Sequence, residues 1–156
     1  MIILGIDPGT ATTGYAIIDK MRSGEMHVID FGVIKTSKTN TDSSRLLELK
    51  KDLNKIIKKF KPVRAGVEKL YFETNVKTAM TVSQARGVVL LLLEENHIDL
   101  SEFTPLQVKS SICGYGKADK QQVQYMVQKT FGLKSIPKPD DAADALAIAL
   151  CSAFKK

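Results

Sequence analysis

Hydrophobic and polar residues alternate along the first third of the chain in a pattern that predicts three strands. Residues 2–6 form an apolar run that ends at Asp7, as in a strand buried on both faces and followed by a turn. Residues 14–19 predict a second strand antiparallel to the first, and residues 26–36, rich in Val, Ile and Phe, predict a third. The chain is therefore expected to begin with an antiparallel three-stranded unit.

Helical spacing of apolar residues dominates the rest of the chain, with two further strands between the helices. The predicted elements are a helix capped by Asp42-Ser43-Ser44 and ended by Pro62, a strand over 64–68, a helix over about 75–96, a strand at Phe103-Thr104, a short helix from Pro105, a helix from Ala118 or Asp119, and a final helix over about 140–154. This order predicts an α/β fold in which a mixed five-stranded sheet carries helices on both faces. A chain of 156 residues fits a single domain over 1–156.

Charge and composition narrow the classes of partner. The net charge of +6 favours a polyanion such as nucleic acid, an acidic membrane or a phosphorylated ligand. Cys113 and Cys151 are too few for a disulfide framework, which indicates a cytoplasmic protein. The apolar run over 88–93 is too short to span a bilayer and no signal peptide is visible, so we expect no membrane partner.

Acidic residues stand where two predicted strands end and where the last helix begins. Asp7 and Glu68 each follow an apolar strand, and neighbouring strands would bring both to one edge of the sheet; an exposed strand end is the alternative for each. Asp141 and Asp144 are three residues apart and share one helical face. Acids in a first helical turn also cap backbone N–H groups, and we assign that role to Asp140.

A cluster of four carboxylates needs a compensating positive charge or protons. At separations of about 4 Å each pair repels by roughly 1–4 kcal/mol. Carboxylate oxygens suit Mg²⁺ or Mn²⁺, whereas zinc prefers His or Cys, and His27 and His97 have no ligand spacing. Two such ions can activate water and stabilise the leaving oxygen of a phosphoryl displacement. Acids in basic surroundings therefore indicate phosphodiester hydrolysis.

Four segments between residue 2 and about residue 150 form a set with a recognisable order and spacing. They are Gly5-Ile6-Asp7-Pro8-Gly9-Thr10 with Thr13-Gly14-Tyr15, Gln84-Ala85-Arg86-Gly87, Ala118-Asp119-Lys120 with Gln122-Val123-Gln124, and Asp141-Ala142-Ala143-Asp144-Ala145-Leu146-Ala147. Together they resemble the RuvC family of bacterial Holliday junction resolvases. The resemblance implies an RNase H-like fold, a homodimer, and Mg²⁺-dependent symmetric nicking of four-way junction DNA that leaves 5′-phosphate and 3′-hydroxyl ends.

The resemblance also implies roles for individual residues. It places catalysis and the binding of two Mg²⁺ ions per subunit, with Mn²⁺ as an alternative, on Asp7, Glu68, Asp141 and Asp144. Asp140 is an extra acid that could exchange roles with Asp141, although the spacing to Asp144 favours Asp141. Lys109 and Lys120 match lysines near the scissile phosphate, where a cation neutralises developing charge, and a solvated surface is their alternative role. A complex with a branch-migration helicase is a further implied partner.

Other residues are candidates for contact with DNA or with a second subunit. Tyr71 matches an aromatic residue that stacks on a base, although Phe72 follows it and either ring could serve. Asn75 is a candidate DNA contact or helix cap, and Lys117 lies in a basic glycine-rich loop that could touch a junction arm. Residues 87–93 predict a helix that is apolar all round, either a dimer interface or a helix buried within one subunit.

Three other functions fit part of the pattern. An RNase H-like nuclease acting on structured RNA would use a similar acidic site. Asp7-Pro8-Gly9-Thr10 also resembles a phosphate-binding hairpin of actin-like ATPases, although such enzymes need two domains of this kind. A non-catalytic DNA-binding module would bind junctions without cutting them.

Overall fold

The computed structural model describes residues 1–69 and 76–155, and the side chains from residue 79 onward in the second range. Its elements follow the predicted order of strands and helices closely. They are β1 (Ile2–Asp7), β2 (Thr12–Lys20), β3 (Met26–Lys35), α1 (Asp42–Phe60), β4 (Arg64–Glu68), α2 (Val76–Glu95), β5 (Asp99–Phe103), α3 (Pro105–Cys113), α4 (Lys120–Thr130) and α5 (Asp140–Phe154).

The five strands form one mixed sheet in the order β3-β2-β1-β4-β5. β1 pairs antiparallel with β2 and parallel with β4, so β1 occupies the centre of the sheet. Successive β1 residues face opposite sides: Ile3 packs with α3, α4 and α5, and Leu4 packs with α1 and α2. The predicted mixed five-stranded sheet with helices on both faces is confirmed.

Two predicted boundaries are wrong, one because neighbouring polar residues can each cap a helix and the other because polar residues within a strand hide its pattern. The cap of α1 is Thr41, whose side chain accepts a hydrogen bond from the Ser44 backbone N–H, rather than the Asp42-Ser43-Ser44 segment. The last strand begins at Asp99 and ends at Phe103, whereas the prediction placed it at Phe103-Thr104. Thr104 instead caps α3.

The apolar second half of helix α2, residues 87–93, is only partly covered by the described part of the chain. Val89, Leu92 and Leu93 are buried against the sheet, while Leu91 is 53% exposed and Gly87 faces open space. Residues 87–93 therefore have one side buried within the subunit and an uncovered apolar side. Among the described helices, none has the length and apolar character needed to cross a membrane.

Helix α5 lies close against the centre of the sheet because small residues meet there. A Cβ on Gly5 of β1 would lie 2.1 Å from the Ala145 carbonyl oxygen and 2.7 Å from the Ala149 Cβ. Only glycine allows this approach of backbone to backbone. The alanine-rich sequence of α5 thus fixes where its first turn stands relative to the ends of β1 and β2.

Candidate active site

Asp7 and Glu68 lie side by side at one edge of the sheet. Asp7 ends β1 and Glu68 ends β4, and the two strands are parallel neighbours in which Ile6 is paired with Val67. Parallel strands present their carboxyl ends at the same edge, where ligands of α/β proteins bind. The predicted convergence of these two acids is confirmed.

The first turn of α5 brings Asp141 and Asp144 to the same edge. Gly14 is the β2 partner of Asp7, and a Cβ on Gly14 would lie 2.0 Å from the Asp141 carbonyl oxygen. The backbone of Asp141 therefore rests directly on the strand beside Asp7. Asp141 and Asp144 are also close enough to Asp7 for their charges to raise its pKa.

The carboxylates strongly perturb one another. Burial, followed by the charges of Glu68, Asp144 and Asp141, raises the pKa of Asp7 from 3.8 to about 8, against an opposing effect of Lys120. Burial and the Asp144 charge raise the pKa of Glu68 from 4.5 to about 7. Burial raises the pKa of Asp144 as well, although Lys120 opposes it. Negative charge is therefore concentrated in a pocket at this edge of the sheet, which favours the binding of a proton or a cation.

Lys120, the first residue of α4, supplies a positive charge at this pocket. Its Nζ lies 3.2 Å from Asp144 Oδ2 and 3.3 Å from Asp140 Oδ2. Burial lowers the pKa of Lys120, but the Asp144 and Asp140 carboxylates outweigh this and raise it, so the ammonium stays charged. The capping role predicted for Asp140 is wrong: Pro139 occupies the cap position of α5 without a side-chain hydrogen bond, and Asp140 accepts from Gln124 and Lys120 instead.

A cleft of about 240 Å³ opens beside these groups. The acids and lysines among its lining residues are Glu68, Lys109, Lys120 and Asp144. Both predicted lysines thus lie at the acidic site rather than on an unrelated surface. A phosphate held in the cleft would meet cations on one side and carboxylates on the other.

The donor atoms of this site suit a hard divalent cation, although they are not arranged as a complete coordination shell. Carboxylate oxygens are the preferred ligands of Mg²⁺ and Mn²⁺. Within residues 1–69 and 76–155, no three His, Cys, Asp or Glu side chains already form a group that could hold a metal ion. The residue types fit such an ion, and closing around it would require the acidic side chains to turn toward one another.

Arg86 contributes to the site in a way that sequence reasoning missed. Its Nε donates to the Glu68 backbone oxygen at 3.2 Å, and its guanidinium pairs with Glu102 on β5. Arg86 therefore ties α2 to the strand end that carries Glu68. The available signal was a charged residue directly before the apolar run over 87–93, because a partly buried charge needs a partner.

The predicted DNA contacts are located only in part. Tyr71, Phe72 and Asn75 lie outside the described residues. Lys117 is exposed in the segment between α3 and α4, near the start of the helix that carries Lys120. Its predicted contact with a junction arm stays a prediction.

Comparison with known proteins places this chain and its fold in one family. The family model described as crossover junction endodeoxyribonuclease RuvC matches residues 3–152. The crossover junction endodeoxyribonuclease RuvC of Caldicellulosiruptor saccharolyticus is 52% identical over 151 residues, which cover 97% of this chain and 91% of that protein.

Solved structures agree with the sequence comparison. Thermus thermophilus RuvC superimposes with a TM-score of 0.91 at 33% identity, covering 99% of this chain and 94% of that one. T. thermophilus RuvC in complex with Holliday junction substrate gives a TM-score of 0.89 at 30% identity, with the same coverage. This chain has an α/β fold with an acidic edge, and the family model and these relatives show that it belongs to the RuvC family of crossover junction endodeoxyribonucleases.

Proposed function

We propose that this chain resolves four-way DNA junctions by paired symmetric nicks that leave 5′-phosphate and 3′-hydroxyl ends. The observation that carries the proposal is the meeting of Asp7, Glu68 and Asp144 with Lys120 at one edge of the sheet. The related T. thermophilus RuvC has been solved with a Holliday junction substrate, and this chain shares its fold over almost the whole length. Ends of this kind can be sealed by a ligase.

Divalent cations would be held by the four acids of the site, Asp7, Glu68, Asp141 and Asp144. We propose Mg²⁺, two ions per subunit, with Mn²⁺ as an alternative. Bound there, the ions would lower the pKa of an attacking water and stabilise the leaving oxygen. The raised pKa values of Asp7 and Glu68 support this assignment, because a cation relieves the repulsion that raises them.

The lysines would act on the DNA rather than on the metal. Lys120 and Lys109 line the cleft with Glu68 and Asp144, where their ammonium groups would neutralise the charge that develops on the phosphate. Exposed Lys117 would contact a phosphate of a junction arm. Base stacking by Tyr71 or Phe72 and a DNA contact of Asn75 stay predictions.

We also propose that two copies act together as a homodimer. A four-way junction has near two-fold symmetry and needs two cuts, which suits two sites related by a two-fold axis. The uncovered apolar side of α2, with Met80 64% and Leu91 53% exposed, supports this helix as the interface. A complex with a branch-migration helicase, one nuclease domain over 1–156 and a cytoplasmic location stay predictions.

The test is cleavage of a labelled synthetic four-way junction with and without Mg²⁺. We expect nicks on two strands at symmetric positions, none without a divalent ion, and little cutting of a linear duplex or structured RNA. Asp7→Asn and Asp144→Asn should each slow nicking by at least about 100-fold while junction binding persists, because a metal ligand is lost.

Asp52→Asn is the matched control. Asp52 pairs with Lys55 on α1, on the other face of the sheet, so the same chemical change there should leave nicking unaltered. Nicking at the normal rate by both site variants would contradict the proposal. Preferred cleavage of structured RNA would support the related RNA nuclease instead.

A further inference from the structure

Asp140 lies next to the site but is not one of the four acids assigned to the metal. It is the first residue of α5, and each of its carboxylate oxygens has a different partner. Oδ2 lies 3.3 Å from Lys120 Nζ, and Oδ1 accepts a hydrogen bond from Gln124 Nε2 at 3.2 Å. The carboxylate therefore bridges a lysine and an amide that both belong to α4.

Gln124 is placed to orient that carboxylate. It is only 9% exposed, and it follows Lys120 by four residues, so both side chains project from the same face of α4. A largely buried amide needs hydrogen-bond partners, and Asp140 accepts one of its N–H groups. Because Gln124 fixes one carboxylate oxygen, the other is presented to Lys120.

We propose that Asp140 and Gln124 are positioning residues that hold the Lys120 ammonium at the mouth of the acidic site. Lys120 is shared almost equally between Asp140 and Asp144. Under the proposed function, on which this inference rests, Asp144 gives part of its negative charge to a cation. Asp140 then remains as the carboxylate that keeps the lysine in place.

Holding Lys120 in advance is useful because a lysine side chain has many conformations. Fixing it before the reaction removes part of the entropy cost of placing its charge beside the phosphate. The substrate phosphate also competes for the same ammonium. An exposed partner such as Asp140, whose side chain is 60% exposed, can release the lysine more readily than a buried one.

The first test observes Lys120 directly, in protein without metal or DNA. Lysine side-chain NMR would be compared for the unsubstituted protein, Asp140→Asn and Gln124→Met, with Lys120→Ala identifying the signal. We expect the Lys120 signal to change in both positioning variants. Asp52→Asn also removes an aspartate–lysine pair, but on α1, so it should change only the signal of Lys55.

The second test separates nicking rate from junction affinity. At saturating protein, Asp140→Asn should slow single-turnover nicking by about 3- to 10-fold with affinity within about 2-fold, the scale of an exposed ion pair and its orienting effect. In a Lys120→Ala background the same substitution should have less than about a 2-fold further effect, because Asp140 acts through the lysine. Thermal unfolding would check that each variant is folded.

Two results would overturn the inference. One is a Lys120 signal that is the same in Asp140→Asn as in the unsubstituted protein. The other is a full rate loss that persists in the Lys120→Ala background, since Asp140 would then act on something else. If the unsubstituted protein failed to nick junctions, the proposed function would fall, while the NMR comparison would still show whether Asp140 and Gln124 hold the lysine.

Discussion

The Asp7 carboxylate should destabilise the folded protein, although its proposed role in metal binding requires it. Burial and the charges of Glu68, Asp144 and Asp141 raise its pKa from 3.8 to about 8. Between these two pH values the folded state keeps a proton that the unfolded chain has lost. The folded state thus binds more protons, and its stability falls as the pH rises from about 4 to about 8. Asp7→Asn removes this cost without changing the shape of the side chain.

The size of the stability gain expected from Asp7→Asn follows from the shift in the pKa of Asp7. A rise from 3.8 to about 8 corresponds to about 5–6 kcal/mol at 1.36 kcal/mol per pH unit. That figure is an upper limit, because the asparagine amide must itself be buried and desolvated. We expect Asp7→Asn to raise the free energy of unfolding by about 2–4 kcal/mol at pH 8, and by almost nothing at pH 4.

Urea unfolding at pH 4 to 9, in the presence of a metal chelator, measures this difference. Asp140→Asn is the matched control at the same site. Hydrogen bonds from Lys120 and Gln124 lower the pKa of Asp140, so its replacement should bring no gain at any pH. An Asp7→Asn protein no more stable than the unsubstituted one at pH 8, or one whose gain did not grow with pH, would refute the reasoning.

Two further substitutions test the packing around the site and the proposed dimer. Gly14→Ala should cost about 1–3 kcal/mol of stability and slow nicking more than about 10-fold, since the new Cβ would lie 2.0 Å from the Asp141 carbonyl oxygen and push α5 away. Urea unfolding and the junction assay measure these losses, and normal nicking would contradict the account. Leu91→Glu should convert a dimer to monomers in sedimentation experiments, because it buries a charge in the α2 interface. A dimer that persists in the Leu91→Glu variant would show that the interface lies elsewhere.

The local sequence pattern was sufficient to predict a strand where the strand's own residues determine its bounds. The apolar run ending at Glu68 predicted β4 with its correct bounds, and the acid at the end of β1 predicted the shared edge. β5 was found only at its last residue, because its Asp99, Ser101 and Glu102 hide the strand pattern. The strand is held by pairing with β4, which is a tertiary contact that local propensity does not report.

Contacts between helices could not be predicted from the sequence. In the sequence Asp140 looks like a capping residue, because a first-turn acid next to a proline gives no sign of another partner. Its partners Gln124 and Lys120 belong to α4, and only the packing of α4 on α5 brings them within hydrogen-bond distance. Arg86 likewise belongs to a motif in the sequence, but its hydrogen bond to Glu68 depends on the packing of α2 against β4.

The acids of this site are placed by apolar packing rather than by their own interactions. The described charges around Asp7 mostly oppose ionisation, and Lys120 offsets only part of that cost. Eleven of the 15 residues of α5 are buried, and the helix meets β1 through Gly5 without intervening side chains. Burial of that much apolar surface can outweigh the repulsion of a few carboxylates. Replacing one acid should therefore leave the site assembled, so a loss of nicking in such a variant reports on chemistry rather than on folding.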